Sequence, residues 1–182
     1  MTDISIPADV APTPADYFGL AYELAKHSPD TSTQNGAVIV NALTGAIVGA
    51  GLNDFPHGVE VTEERLQRPM KYFFTEHAER NAVFEMGDRG LADMAGDKEM
   101  YALWAACADC ARAIIQAGVK KVHTHSFYIG GGDPTEDRKN WGESIQYAFN
   151  MFDEAGVEVV FHDCQVLPEG ETLLFNGEPV HY

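Results

Sequence analysis

The apolar positions divide the chain into helical and extended stretches. Between Ala15 and His27, Tyr17 or Phe18, Ala21, Leu24 and Ala25 recur at helical spacing, and Pro29 stops the run. Thr31 to Asn35 is a polar turn. Ala37-Val38-Ile39-Val40 and Ala46-Ile47-Val48-Gly49-Ala50 are short apolar runs joined by the turn residues Leu43-Thr44-Gly45, which predicts a β-hairpin. Asn53 to Met70, broken by Pro56, Gly58 and Pro69, is a long charged loop, and such loops in compact domains tend to be functional. A helix over His77 to Met86 turns Ala78, Ala82, Val83 and Met86 inward. A strand over Glu99 to Trp104, a helix over Cys107 to Ala117 closed by Gly118, and a strand over Lys120 to His125 follow. Ser126 to Asn140, with Gly130-Gly131-Gly132, reads as a mobile loop. A helix over Trp141 to Ala155 closed by Gly156 and a strand over Val157 to Phe161 complete the pattern. A hairpin followed by helix–strand alternation predicts an α/β protein, a sheet of about five strands with helices on both faces. Residues 1–14, with Pro7, Pro12 and Pro14, read as a flexible arm and 15–161 as one domain. Residues 162–182 have no clear period and form a tail expected to pack on the domain or a neighbouring subunit.

Composition narrows the function. At 182 residues the chain is long enough for one substantial core. A formal net charge of −16 opposes binding to nucleic acid or to an anionic membrane, because each phosphate contact must overcome that field. It leaves room for a small anionic substrate met by a few local cations. Met1 to Ala15 lacks the basic and apolar segments of a secretory signal, and no apolar run approaches the roughly 18–20 residues that span a bilayer. Of three cysteines two lie in a Cys-x-x-Cys pair, which reads as metal ligands in a reducing compartment, hence cytoplasmic, with one thiol spare.

The chemistry concentrates in two short stretches, Thr75-Glu76-His77-Ala78-Glu79-Arg80-Asn81 and Cys107-Ala108-Asp109-Cys110. One imidazole and two thiolates suit Zn2+, and three protein ligands leave a fourth tetrahedral position for water. Residues three apart share a face of a helix's first turn, so Cys107 and Cys110 can both reach one ion. The helix N-terminus favours the thiolate forms. Glu79, two residues past the histidine, points to a different side of its helix and is suited to exchange protons with that water rather than to bind the metal.

His77-x-Glu79 followed by Cys107-x-x-Cys110 is the signature of zinc-dependent nucleobase deaminases. Gly51-Leu52-Asn53-Asp54-Phe55-Pro56 is similar to the Gly-x-Asn-x-x-Pro loop of cytidine and deoxycytidylate deaminases. Lys71-Tyr72, Cys110 to Ile115 with Gly118 to Lys121, and Trp141 to Ser144 leading to Glu154 to Val159 resemble the deoxycytidylate branch. Over roughly residues 15–161 the chain thus resembles the cytidine/deoxycytidylate deaminase superfamily, closest to the deoxycytidylate branch. That resemblance implies a three-layer α-β-α fold with a central mixed sheet, Zn2+ on His77, Cys107 and Cys110, and Glu79 as the proton carrier. It implies hydrolysis of dCMP to dUMP and ammonia, with Asn53 on the sugar and the backbone of Ala78 reading the base. It also implies a homo-oligomer. The chain departs from the family pattern in Ala105-Ala106, where a small residue and proline usually precede the first cysteine. Leu103-Trp104 is also bulkier than the usual Thr-Leu, which bears on pocket shape.

Other readings attach to the same residues. The substrate could instead be a free nucleoside, a purine base such as guanine, or a modified pyrimidine. A structural zinc module would fill the fourth position with His123, His125 or Cys164. A thiol oxidoreductase would use Cys107 and Cys110 and leave His77 and Glu79 unexplained. Arg65, Arg68 and Lys71 could attract a 5′-phosphate, yet among Glu60, Glu63 and Glu64 they read more simply as a solvated, salt-bridged face. Phe55 could stack on a base or plug the core.

Overall fold

The computed structural model describes residues 12–125, 136–163 and 170–180, with backbone alone over 136–141. Helix α1 (Pro14–Ala25) opens on a reciprocal cap: Thr13 Oγ1 accepts from the Asp16 N–H, and the Asp16 carboxylate accepts from the Thr13 N–H at 2.7 Å. The helix ends two residues before the predicted His27. There Ser28 turns its hydroxyl away to donate to the Asn53 carbonyl at 2.6 Å.

Strands β1 (Gly36–Asn41), β2 (Ile47–Leu52), β3 (Lys98–Ala102), β4 (Val119–His125) and β5 (Glu158–His162) form one sheet in the order β2-β1-β3-β4-β5. Its first two pairings are antiparallel and its last two parallel. The expected mixed five-stranded sheet is therefore present. All of β1 is buried, because both sheet faces are covered, and this is why its apolar run does not alternate with polar residues. Ala37 and Ile39 face one core with α3 (Ala78–Asp88), α4 (Ala108–Gln116) and α5 (Glu136–Ala155). Val38 and Val40 face the other, against Phe18, Ala21 and Tyr22 of α1. Phe152, Ile114 and Met86 on one side and Phe18 and Tyr22 on the other are essentially sealed from water. Each contributes about 1.5–3 kcal/mol by burial.

Three features were not legible in the apolar pattern. A single turn of helix, α2 (Lys71–Phe74), closes the long loop. Helix α5 begins at Glu136, inside the segment read as loop. In the tail, β6 (Leu173–Phe175) pairs antiparallel with β7 (Glu178–Val180), and Leu173 and Val180 are buried in the α1 core. Asn176 and Gly177 both have positive φ, 53° and 82°, as a tight hairpin turn requires. Cys164 and Gly130-Gly131-Gly132 lie outside the described residues, as does residues 1–11 of the expected arm.

Candidate active site

Helices α3 and α4 begin side by side on one face of the sheet, and their N-terminal caps are His77 and Cys107. Neither side chain makes a capping hydrogen bond at its helix N-terminus. The first helical N–H groups are satisfied from elsewhere: Ala78 donates to Asn53 Oδ1 and Ala108 to Ser144 Oγ, both at 3.0 Å. His77, Cys107 and Cys110 converge. His77 Nδ1 is 3.6 Å from Cys107 Sγ and 3.5 Å from Cys110 Sγ, and the sulfurs are 3.5 Å apart. A tetrahedral zinc at ordinary bond lengths subtends ligand–ligand edges of about 3.5–3.8 Å, so the triangle fits that ion without rearrangement. The thiols are free, not bridged.

Charge is finely divided in this cluster. Burial lowers the proton affinity of His77, but the hydrogen bond to Cys107 and the charges of Glu79, Cys107 and Glu76 outweigh it and push the imidazole up to about 9. The hydrogen bond shared with Cys110 holds Cys107 well below the usual thiol range, against its burial and with help from His77. The same bond, with burial, raises Cys110. Metal binding to such donors releases protons, which makes affinity pH-dependent. Ala106 occupies the position where proline was expected. It is buried, and Cys107 still takes an extended φ of −78° and ψ of 172°, so alanine supports the same helix entry.

Glu79 is 2% exposed. Burial pushes its carboxyl up to about 7, partly offset by the positive charge of His77. Its Oε2 accepts from Asn35 Nδ2 at 3.3 Å. Asn35 itself is 4% exposed, and its Oδ1 has no partner among the described residues. In the sequence it belongs to a polar turn and gave no signal of its burial. Asn53, buried, donates through Nδ2 to the Thr33 carbonyl at 2.8 Å while Oδ1 takes the Ala78 N–H. The structure thus brings Asn53 and Ala78 together beside Glu79, bonded to each other. Arg80 bonds Glu76 at 2.5 Å and reaches Asp109 at 3.9 Å, linking the two ligand-bearing segments.

The remaining residues singled out in the sequence lie elsewhere. Phe55 stacks on Phe74, centroids 5.9 Å apart, and is buried. Trp104 packs on Phe175 of the tail hairpin and donates its indole N–H to the Gln34 carbonyl at 2.9 Å, so its bulk belongs to the α1 core. Lys71 is not part of a solvated face. It is buried against Asp30, with Nζ 2.7 and 2.8 Å from the two carboxylate oxygens. Arg65 donates to the Glu60 carbonyl and lies over the Phe74 ring. Arg68 bonds Asn176 Oδ1. His123 bonds Glu99 at 3.0 Å and His162 at 2.8 Å, while His125 meets the edge of Phe18, so both face the α1 core, away from the zinc ligands. Among the described residues only His77, Cys107 and Cys110 form a group able to hold a metal. No helix among them is long and apolar enough to cross a membrane.

Residues 13–126 match the family model described as the cytidine and deoxycytidylate deaminase zinc-binding region. An Aliivibrio fischeri protein described as an uncharacterized deaminase in luxG 3'region is 36% identical over 152 residues, 83% of this chain and 94% of that one. Deoxycytidylate deaminase of Mus musculus is 36% identical over 132 residues, 67% of this chain and 70% of its own. The fold is shared with the dCMP deaminase of cyanophage S-TIM5 solved with dCMP and dUMP, at a TM-score of 0.56 and 24% identity over 80% of this chain and 93% of that one. The chain belongs to the zinc-dependent cytidine and deoxycytidylate deaminase family.

Proposed function

We propose that this protein deaminates a cytosine nucleotide, dCMP before others, to the uracil nucleotide and ammonia. The observation that carries the reading is the buried carboxylate of Glu79 beside a triangle of one imidazole and two sulfurs with zinc-ligand edges. Zinc, when bound by His77, Cys107 and Cys110, makes a water nucleophilic near neutral pH. Glu79 would accept a proton from the attacking water as the water oxygen bonds C4 of the base. The carboxyl would deliver that proton to N3, then carry the second proton of the former water, from the hydroxyl now on C4, to the amino nitrogen, and the C4–N bond would break as C4=O forms and ammonia departs. A carboxyl pushed up to about 7 can serve as base and then as acid at neutral pH. Asn53 and the Ala78 backbone, bonded to each other beside Glu79, hold the sugar and the base in register. The similarity to deoxycytidylate deaminases supports the nucleotide, and the charge of −16 disfavours a polynucleotide, whose backbone would enter with the base. A homo-oligomer and a cytoplasmic location belong to the same reading.

The test is ammonia release across cytosine, adenine and guanine bases, nucleosides and monophosphates, with and without a zinc chelator. dCMP should turn over fastest and chelation should abolish turnover. Glu79→Gln should keep its zinc and lose about 10²–10⁴-fold in kcat. An inert dCMP with an active free base would refute the substrate assignment. A fully active Glu79→Gln would refute the mechanism.

A further inference from the structure

Asn35 is buried beside Glu79, and among the described residues only the Nδ2 end of its carboxamide has a partner. The chain holds it there firmly. Asp30 Oδ1 accepts the N–H groups of Ser32 and Thr33, and Lys71 closes on the same carboxylate. Gln34 exchanges bonds with Leu174 through its N–H and its Oε1, and its carbonyl takes the Trp104 indole. The Asn35 carbonyl accepts from the Asn53 N–H at 3.0 Å. The backbone is thus fixed on both sides of the buried Asn35 side chain.

Glu79 Oε2 takes the Nδ2 end of the amide at 3.3 Å, and Oδ1 is left without a partner among the described residues. A buried acceptor without a partner costs about 1–3 kcal/mol, a cost a folded protein rarely carries without use. The substrate of the proposed reaction brings the missing donor. Its exocyclic amino group has N–H bonds, and the carboxyl that must reach that nitrogen is the one Asn35 touches. The product carries a carbonyl oxygen at the same place, an acceptor facing an acceptor.

We propose that Asn35 is a further active-site residue, whose Nδ2 orients Glu79 and whose Oδ1 accepts an N–H of the substrate's amino group, so that the pocket prefers the amine over the carbonyl product. This rests on the deaminase reading above. It separates substrate from product by one polar atom, the kind of discrimination that hydrogen-bonding sites make well.

The full chain loaded with zinc, carrying Asn35→Leu, tests it; leucine keeps the branch at Cγ and removes both polar atoms. Asn35→Ala serves as the second variant should leucine not fold. Zinc content should remain wild-type and thermal stability should hold or rise. kcat/KM for dCMP should fall about 10²-fold, chiefly in kcat. dCMP KM should hold or rise while inhibition by dUMP strengthens, so the ratio of dUMP Ki to dCMP KM should fall. Turnover within threefold of wild type overturns the inference. So does a loss matched by equal weakening of dUMP, which would mark a uniform structural role, or failure of both variants to fold with zinc. Wild-type inertness toward every amino base would refute the proposed function and this inference with it, whereas an active wild type with an undiminished Asn35→Leu would refute this inference alone.

Discussion

A single methyl group at Gly51 should dismantle the metal site without touching a ligand. A Cβ placed there would lie 2.3 Å from the Ala78 carbonyl oxygen and 2.4 Å from the Ala82 N atom, both backbone atoms of α3. Ordinary contact begins near 3.4 Å, so α3 must retreat from β2 by about 1 Å. The helix is anchored to that strand, since Asn81 Nδ2 also donates to the Leu52 carbonyl at 2.8 Å, and the retreat carries His77 and Glu79 with it. Cys107 and Cys110 ride on α4, packed beside α5 and attached to the far half of the sheet, and stay behind. Metal ligands tolerate roughly ±0.2 Å. A displacement several times larger should weaken zinc binding severely and cost at least about 10²-fold in kcat/KM through misplacement of Glu79. Overpacking should also cost about 1–3 kcal/mol of stability.

The assay is zinc stoichiometry after dialysis against a weak chelator, with turnover and thermal unfolding measured on the same sample. Gly87→Ala is the control on the same helix. A Cβ there meets nothing within 4 Å, and alanine should stabilise by about 0.5–1 kcal/mol with zinc and activity intact. If Gly51→Ala keeps wild-type zinc affinity and turnover, close apposition of β2 and α3 is not what sets the ligand geometry.

Other changes reach different layers of the structure. Asp30→Asn keeps an acceptor for Ser32 and Thr33 but leaves the Lys71 ammonium buried and uncompensated, so it should cost about 3–5 kcal/mol in urea unfolding. Adding Lys71→Met should recover most of that loss, and a single-mutant cost under about 1 kcal/mol would refute the pairing. Burial lowers the pKa of His123, and burial with the charge of His123 lowers His162, in a cluster faced by Glu99, Tyr101, Phe18, His125, Lys121 and Glu158. The unfolded chain therefore binds protons first: stability is complete above the ordinary histidine value of 6.5 and falls as pH drops below it. His123→Gln should flatten that slope, and parallel slopes in the two proteins would refute the assignment. Leu173→Ala should cost about 2–5 kcal/mol, because Leu173 is sealed between the tail hairpin and α1, and a cost below about 1 kcal/mol would show that the hairpin does not stabilise the domain.

The ligands were legible because their chemistry is local. His77, Glu79 and the Cys107–Cys110 pair lie at helix N-termini, where spacing of two or three residues already settles which side chains share a face. The sheet was legible for a related reason: β1 and β2 are apolar runs parted by turn residues, and both β3 and β4 lead away from or into helices with glycine stops. What the apolar pattern could not show is long-range. Nothing in Thr31 to Asn35 announces that Lys71, Trp104, Asn53 and Leu174 will close on that turn and bury Asn35. Lys71 stands among glutamates in sequence and finds its partner 41 residues away at Asp30. The tail hairpin did leave a trace, in Asn176-Gly177 between short apolar runs, but three-residue strands are too brief for alternation to be read.

The two faces of the sheet are accordingly not independent. The zinc ligands and Glu79 occupy one face, while α1, Trp104 and the tail hairpin cover the other. The segment joining α1 to β1 crosses between them, and Gly36 allows that crossing, since a Cβ there would fall 1.8 Å from the Ala21 carbonyl oxygen. Gln34 is fastened to the hairpin and to Trp104, and its neighbour Asn35 reaches Glu79. Bulk at Trp104, which the sequence suggested would reshape the pocket directly, acts instead by clamping the turn from behind. The position of the buried Glu79 carboxylate is thus supported partly by Gln34, Trp104 and the tail hairpin, through the turn that holds Asn35.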